Sequence, residues 1–453
     1  MTITRHSLLL LCFSALLALT APLLLTAPQL HAQQAPLAAQ PPPAPQQASP
    51  QPAYNLSPDK LAKAIAISRI RNIMDIVGGL WGILVLWLIL ATRFAARLDA
   101  WAQRRSTRRW IQGLIFFAAF LVITTLASLP LDWFSQHVEK SFDISVQAWG
   151  SWLGDQAKSL GLSLLLFAPV LLLFNWIVRR WPRRYWFGIW LATLPLLVLG
   201  IFIAPLLAPL FNKFEPLQKT NPTLVTELEK VVARTGTDIP PDRMFLMKAS
   251  EKTNGLNAYV SGIGATKRIV VWDTTAGRVP DDEVLFIFGH ESGHYVLRHI
   301  PKMIAGMIFV LFFVYWACAV SADWLARRYG SRWQLGSPAD GNLLATRAGF
   351  LVLVFTISVA SFLLEPASNT FSRYFEHQAD VYGQEAIHGI VPDPQKTAVA
   401  AFDHLGEAWL EDPNPSPFIE FWEYSHPSVQ TRANFAEHYN PWANGGHGEF
   451  FSK

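Results

Sequence analysis

The chain contains few charged residues and only two cysteines. Both observations limit the class of protein to which it can belong. Only 15% of the 453 residues are charged, whereas 51% are hydrophobic, and the mean hydropathy is +0.24. The two cysteines, Cys12 and Cys318, both lie in apolar runs, so no disulfide framework is predicted. A composition this apolar is typical of an integral-membrane protein.

Long runs without any charged residue support that class. Six of them follow the N-terminus, and each is long enough to cross about 30 Å of hydrocarbon as a helix. One such run is equally consistent with a buried core helix, but six leave little room for that interpretation. A transporter or channel is disfavoured because the runs contain no ionisable group. They comprise residues 76–92, 110–131, 159–178, 185–211, 303–322 and 348–364.

The N-terminus has features of a secretory signal. Arg5 precedes a leucine-rich run at residues 8–19, and a possible cleavage point follows Ala32. Because Leu30 stands where a small residue is commoner, the run could equally remain as a first membrane helix. Residues 33–58 are rich in Pro, Gln and Ala and are predicted to be an unstructured extracytoplasmic linker.

The motif His290-Glu291-Ser292-Gly293-His294 is the strongest chemical signal in the chain. Two histidines four apart share one face of a helix and can bind one zinc ion, while the glutamate is placed to act as general base on a metal-bound water. Carboxylates at positions 281–283, just after Pro280, indicate the first turn of that helix. Chance matches to this pattern number on the order of 0.01 in such a chain.

A third zinc ligand must come from elsewhere, because Leu297 and Ile300 stand where a metzincin would have Gly and His. The segment 372–380 contains Arg373, Glu376 and Asp380 on one helical face. In a gluzincin-type site Glu376 would bind the metal, and Asp380 would accept the free N–H of a ligand histidine. On spacing alone, a solvated helix face with an Arg-Glu pair is equally consistent.

Together with residues 210–214, 257–259 and 267–275 and the pair His426-Pro427, the motif at 290–294 and the segment 372–380 form a pattern. In this pattern the chain resembles the type 1 CAAX prenyl endopeptidases, integral-membrane zinc metalloproteases related to HtpX. The resemblance runs from about Tyr54 onward and implies Glu376 as third ligand of a single Zn²⁺ and Asp380 behind the ligands. It also implies that Asn257, Ala258 and Tyr259 contact the substrate backbone, although an ordinary hairpin is the alternative.

For several other residues the sequence is consistent with more than one role. Residues 244–247, 256–262 and 268–273 are predicted to be short strands whose edge could bind an extended substrate. His426 is a candidate donor to the oxyanion, or a plain surface histidine. Arg373 could support Glu376 or the substrate. His299 is expected at the end of the metal helix, near its last carbonyls and away from zinc.

Loop charges predict the orientation. Arginines are concentrated in the loops after the first, third and fifth spans, which would share the cytoplasmic side and leave the zinc domain periplasmic. Eukaryotic members of the family have the opposite arrangement. The formal charge of +4 is attributed to this topology, and no nucleic-acid binding is predicted.

We therefore predict a mainly α, multi-pass membrane protein with a gluzincin-type α+β zinc metallopeptidase domain and a small β-sheet. Its function would be zinc endopeptidase activity on peptide or protein substrates, in envelope proteolysis or quality control at a bacterial inner membrane. The alternative is a zinc-stabilised, non-catalytic chaperone or adaptor. The oligomeric state is left open. The predicted parts after the linker are residues 59–211 (four spans), 212–302 (first peptidase part), 303–365 (two spans) and 366–453 (second peptidase part).

Overall fold

The protein is mostly helical in the computed structural model, which describes residues 54–262, 264–336, 338 and 341–451. The predicted signal segment and nearly all of the predicted linker lie outside the described residues. The helices are α1 (Pro58–Ala91), α2 (Phe94–Arg105), α3 (Arg109–Ser141), α4 (Trp149–Arg180), α5 (Tyr185–Leu207), α6 (Leu217–Thr220), α7 (Pro222–Thr235), α8 (Asp273–Ala276), α9 (Asp281–Val296), α10 (His299–Trp333), α11 (Arg347–Ile387), α12 (Pro394–Trp409), α13 (Pro417–Glu423) and α14 (Val429–His438). The strands are β1 (Phe214–Pro216), β2 (Met244–Met247), β3 (Ala258–Ser261) and β4 (Arg268–Trp272).

The six predicted spans are confirmed as long apolar helices, namely α1, α3, α4, α5, α10 and α11. Their lengths of 23 to 41 residues exceed the roughly 20 needed to cross the hydrocarbon layer. Helix α2 differs, because its buried residues Ala95, Leu98 and Ala102 recur at helical spacing between charged ones. It therefore packs against the bundle as an amphipathic helix.

The three arginine-rich connections meet at one end of the bundle, which we call the arginine end. Arg93 Nε donates to the carbonyl of Arg332 at 3.1 Å, and Asn342 Nδ2 donates to the carbonyl of Val178 at 3.3 Å. These bonds join the connections after α1, α4 and α10. The loops therefore lie on one side, as their charge pattern predicted.

At the opposite end, the spans are packed into the peptidase part. Arg71 on α1 donates to both carboxylate oxygens of Glu139 on α3, at 2.7 and 3.0 Å, and to the carbonyl of Trp409 on α12. Tyr54, next to the start of α1, belongs to the same buried apolar cluster as Phe286 of α9. The peptidase part thus shares a core with the ends of the membrane helices.

The small sheet has the strand order β1-β2-β4-β3. Strands β3 and β4 form the predicted antiparallel hairpin, with Tyr259 opposite Val270, whereas β2 runs parallel to β4. Strand β1 was not predicted, because it contains only three residues and ends at Pro216. The order leaves β3 as an outer strand, next to α9.

Helices α9 and α11 approach each other closely through glycines. A Cβ atom at Gly383 would lie 2.8 Å from the backbone nitrogen of His290, and one at Gly289 would lie 3.0 Å from the carbonyl oxygen of Gly383. Any side chain there would push apart the two helices that contain the predicted metal ligands. The contact therefore fixes how the two motifs face each other.

We expect Gly383→Ala to destabilise the protein by about 1–3 kcal/mol, since the added methyl group meets backbone atoms that cannot move aside. It should also weaken metal binding, and both effects are measurable by thermal unfolding with and without added metal. Gly154→Ala on α4 is the matched control, because its Cβ would meet nothing within 4 Å. Equal stability of the two variants would contradict the close-contact argument.

Candidate metal centre

Helix α9 places two imidazoles side by side. It begins at Asp281 with carboxylates in its first turn, as predicted, and ends at Val296, before Arg298 adopts the left-handed conformation at φ 56°. His290 and His294 are only 8% and 2% exposed, and their Nε2 atoms lie 3.2 Å apart. Both side chains therefore point to one place inside the protein.

Helix α11 brings the carboxylate of Glu376 to the same place. Its oxygens lie 3.4 Å from His290 Nε2 and 3.6 Å from His294 Nε2, and the side chain is fully buried. The three residues offer ligand atoms that all lie within 4.8 Å of one another. The structure thus brings together the two segments that the sequence predicts to contain the metal ligands.

The polar atoms of this cluster fit a metal cation. Neither carboxylate oxygen of Glu376 has a hydrogen-bond donor, although both are buried. A buried carboxylate without a donor is costly unless a cation compensates its charge. Two imidazole nitrogens and one carboxylate are also a ligand set that zinc enzymes use, with one position left for water.

Asp380 fixes the orientation of the first imidazole. Its Oδ1 accepts a hydrogen bond from His290 Nδ1 at 2.8 Å, which leaves the Nε2 lone pair directed at Glu376. Arg432 on α14 donates to both oxygens of Asp380, at 2.9 and 2.6 Å, and its Nη2 lies 3.8 Å from Glu376. The guanidinium therefore compensates the charge of the carboxylate behind the ligand.

His299 is placed differently from the prediction. It is the first residue of α10 rather than the end of the metal helix, because the turn at Arg298 reverses the chain direction. Its Nδ1 lies 3.1 Å from His294 Nδ1, and its Nε2 donates to Gln378 Oε1 at 3.2 Å. In that tautomer His299 accepts the N–H of His294, so the Nε2 lone pair of His294 is directed at the cluster.

The pKa values of the two histidines show that the site as a whole favours an added positive charge. Burial alone disfavours a charged imidazole, and it lowers the pKa of His294 to about 3. Burial also acts on His290, but Asp380 and Glu376 outweigh it and raise the pKa of that imidazole to about 9. The pair thus favours one added positive charge, which is the condition a metal ion would meet.

Glu291 lies between the cluster and the sheet. Burial raises the pKa of its carboxyl to about 7, near the value suited to a general base at neutral pH. The backbone N–H of Val260 on β3 points at its Oε2 from 3.5 Å. Glu291 therefore faces the outer edge of the sheet across a narrow gap.

The predicted substrate strand is only partly available. The N–H of Asn257 donates to Thr275 Oγ1, and its carbonyl accepts from Trp272 N–H, so its backbone is already bonded within the hairpin. Because strand residues alternate, Tyr259 also directs its backbone toward β4, while Ala258 shares the open edge with Val260. Substrate contact by Asn257, Ala258 and Tyr259 therefore stays a prediction, and the open edge fits Ala258 best.

His426 lies at the centre and Arg373 does not. The Nε2 of His426 is 3.2 Å from Glu376 Oε2, and 42% of its side chain is exposed, so it borders the open side of the cluster. Arg373 instead donates to the carbonyls of Glu420 and Tyr424 at 2.8 and 2.6 Å. It holds α13 against α11, and the expected support of Glu376 comes from Arg432.

Known proteins are similar to this chain in sequence and in fold. A family profile described as peptidase family M48 matches residues 218–440, and one described as the CAAX prenyl protease N-terminal region, with five membrane helices, matches residues 42–213. The metalloprotease YhfN of Bacillus subtilis is 34% identical over 389 residues, which cover 85% of this chain and 87% of that protein. The chain belongs to peptidase family M48.

Further similarities extend this assignment. CAAX prenyl protease 1 of Saccharomyces cerevisiae is 26% identical over 71% of each chain. The crystal structure of Ste24p from S. mikatae superposes with a TM-score of 0.69 over 84% of this chain and 89% of that one, at 23% identity, which confirms the fold. As a member of family M48, the chain is a membrane-embedded metallopeptidase, and the predicted resemblance and enzyme class are confirmed.

Arg432, His299 and Gln378 were missed as parts of the M48 centre. Arg432 lies five residues after Pro427. The sequence signal that could have found it is a helix that follows the His426-Pro427 pair. His299 was considered but placed on the wrong element. A left-handed residue at Arg298 has no sequence signature comparable to a glycine, so the reversal was not visible.

We expect His299→Phe to weaken metal binding about 10- to 100-fold, because the ring that orients His294 loses both nitrogens. Phenylalanine preserves the stacking of residue 299 on Phe375, whose ring centroid lies 4.1 Å away. Chelator competition on the purified protein measures the dissociation constant. His438→Gln, an exposed histidine on α14, is the control, and an unchanged constant in His299→Phe would refute the orienting role.

Proposed function

We propose that this M48 protein is a zinc metalloendopeptidase that cleaves peptide segments close to the membrane surface. The observation that supports this function best is the buried cluster of His290, His294 and Glu376, with Glu291 facing the outer sheet edge across it. One Zn²⁺ per chain is proposed, since the described residues offer one such cluster. When bound, the ion supplies Lewis-acid activation of water and of the scissile carbonyl.

Glu291 is the proposed general base. Its raised pKa and its place beside the cluster suit it to accept a proton from the attacking water and to return that proton to the leaving amine. The N–H of Val260 points at one of its oxygens, and the other oxygen is proposed to accept the proton of the water.

The outer edge of β3 is the proposed substrate platform. An extended peptide added along this edge would pair with backbone groups of Ala258 and with the carbonyl of Val260, since both residues are turned away from β4 and the Val260 N–H points at Glu291. Backbone pairing does not depend on the side chains of the substrate, so peptides of many sequences could bind. Selectivity would then come from the surrounding pockets and from access along the membrane helices.

His426 is the proposed donor to the oxyanion that develops on the scissile carbonyl. It borders the open side of the cluster and lies within reach of Glu376, where a partly exposed imidazole can meet substrate. Asp380, with Arg432 behind it, is proposed to hold His290 in its ligand tautomer.

We further propose that the metal centre faces the periplasm of a bacterial inner membrane. The arginine end collects the loop arginines on the side away from the centre, which fits a cytoplasmic location for that end. With a signal-like N-terminus, the substrates would be envelope or membrane proteins without a prenyl group. The peptidase parts 212–302 and 366–453 would then fold together around the last two spans.

We expect Glu291→Gln to reduce peptide hydrolysis at least about 100-fold while zinc content stays at one per chain, because the amide cannot accept the proton of water. Turnover of a peptide library and metal analysis measure the two quantities on the same sample. Asp282→Asn, an exposed acid on the same helix, is the control and should keep full activity. Equal turnover by both variants would reject the mechanism and favour the non-catalytic adaptor.

The topology can be tested in a Cys12→Ala, Cys318→Ala background. Lys396→Cys, at a side chain that is 88% exposed near the start of α12, should react with a membrane-impermeant maleimide added to intact spheroplasts. Arg183→Cys, exposed at the arginine end, should react only after permeabilisation. The reverse labelling pattern would place the metal centre in the cytoplasm.

A further inference from the structure

An open groove of about 730 Å³ lies at the arginine end, far from the metal centre. It is bounded by the start of α3, the last third of α4 and the first residue of α11. Arg108, Arg109, Arg179 and Arg347 line the part nearest the helix ends, which we call the mouth, and the exposed surface of the lining is mostly apolar. Among the described residues that line it, there is no carboxylate.

Two of these arginines occupy an unfavourable place for a cation. Arg108 is the N-cap of α3 and Arg109 its first residue, and no side chain caps this helix end. The helix dipole makes the N-terminus positive, so cations there repel it and an anion is favoured. Free N–H groups of the first turn and two arginines that line the groove therefore lie where an anion would be stabilised.

The surroundings provide little compensating charge. Residues 92–110, 178–185 and 324–347 contain 14 arginines and only two aspartates, Asp99 and Asp340. Asp99 is already paired with Arg347 at 2.5 Å. Among the described residues of the groove wall, no acid thus pairs with Arg108 or Arg109.

Below the mouth the groove is apolar. Leu172 and Leu173 line it, and Pro169 interrupts the surface of α4 beside them. Trp110 and Trp176 flank it with 57% and 52% of their surface exposed, as expected of side chains at the headgroup level of a bilayer. Because α3 enters its charge-free run at Trp110, the walls face the hydrocarbon layer and the arginines face the headgroups.

We propose that this groove is a binding site for one diacyl phospholipid with an anionic headgroup. The phosphate lies against Arg108, Arg109 and the start of α3, and an acyl chain follows the wall formed by Leu172 and Leu173. A free phosphate ion would leave the apolar part without an occupant, and a zwitterionic lipid would not compensate the arginines. The site is independent of the proteolytic function, because it lies at the opposite end of the bundle.

Native mass spectrometry of the full chain in neutral detergent tests the site, with phosphatidylglycerol as the probe. The wild type should retain one phosphatidylglycerol at concentrations where phosphatidylcholine is not retained. Arg108→Gln/Arg109→Gln should weaken retention about 30-fold, from about 1 kcal/mol for each arginine. The control Arg183→Gln/Arg184→Gln removes the same charge from exposed positions at the same end and should bind like the wild type.

Two further arms distinguish the alternatives. Leu173→Trp fills the apolar part while keeping every arginine, and it should also abolish retention, with unchanged thermal unfolding showing that the variant is folded. Inorganic phosphate should fail to displace the lipid. The proposal is overturned if both double variants lose lipid equally, if Leu173→Trp binds normally, or if inorganic phosphate competes as strongly as phosphatidylglycerol.

Discussion

The close contact between α9 and α11 is the constraint on which the site depends. Where Gly289 meets Gly383, the backbones lie so close that no Cβ fits between them. This brings Glu376, 82 positions after His294 in the sequence, against both imidazoles. The cluster is then enclosed by protein on nearly all sides, and its uncompensated oxygens and lone pairs make a cation the natural occupant.

Around the ligands, hydrogen bonds set the direction of each lone pair. His290 is oriented by Asp380 and Arg432, and His294 is oriented by His299 and Gln378. Asp380 and Gln378 both lie on α11, whereas Arg432 and His299 come from two other elements, α14 and the start of α10. A disturbance of either element would therefore reach the metal through one imidazole, without any change in the ligands themselves.

The two ends of the molecule have different chemistry. The end with the metal centre is packed into a mixed core, and it joins the membrane helices to the peptidase part through Arg71 and Glu139. The arginine end has a large excess of positive charge and an open groove at the headgroup level. Under the two proposals, one end contacts substrate and the other binds an anionic lipid.

The sequence by itself determined the spans, the metal helix and the ligand candidates, because these depend on local composition and on spacing along one helix. It also determined the hairpin of β3 and β4. It did not determine which partner supports each ligand: Arg432 replaced Arg373, and His299 moved to another element. Only the tertiary structure decided which residues support each ligand. The reason is that these contacts depend on how separate helices cross and on which backbone groups already have hydrogen-bond partners.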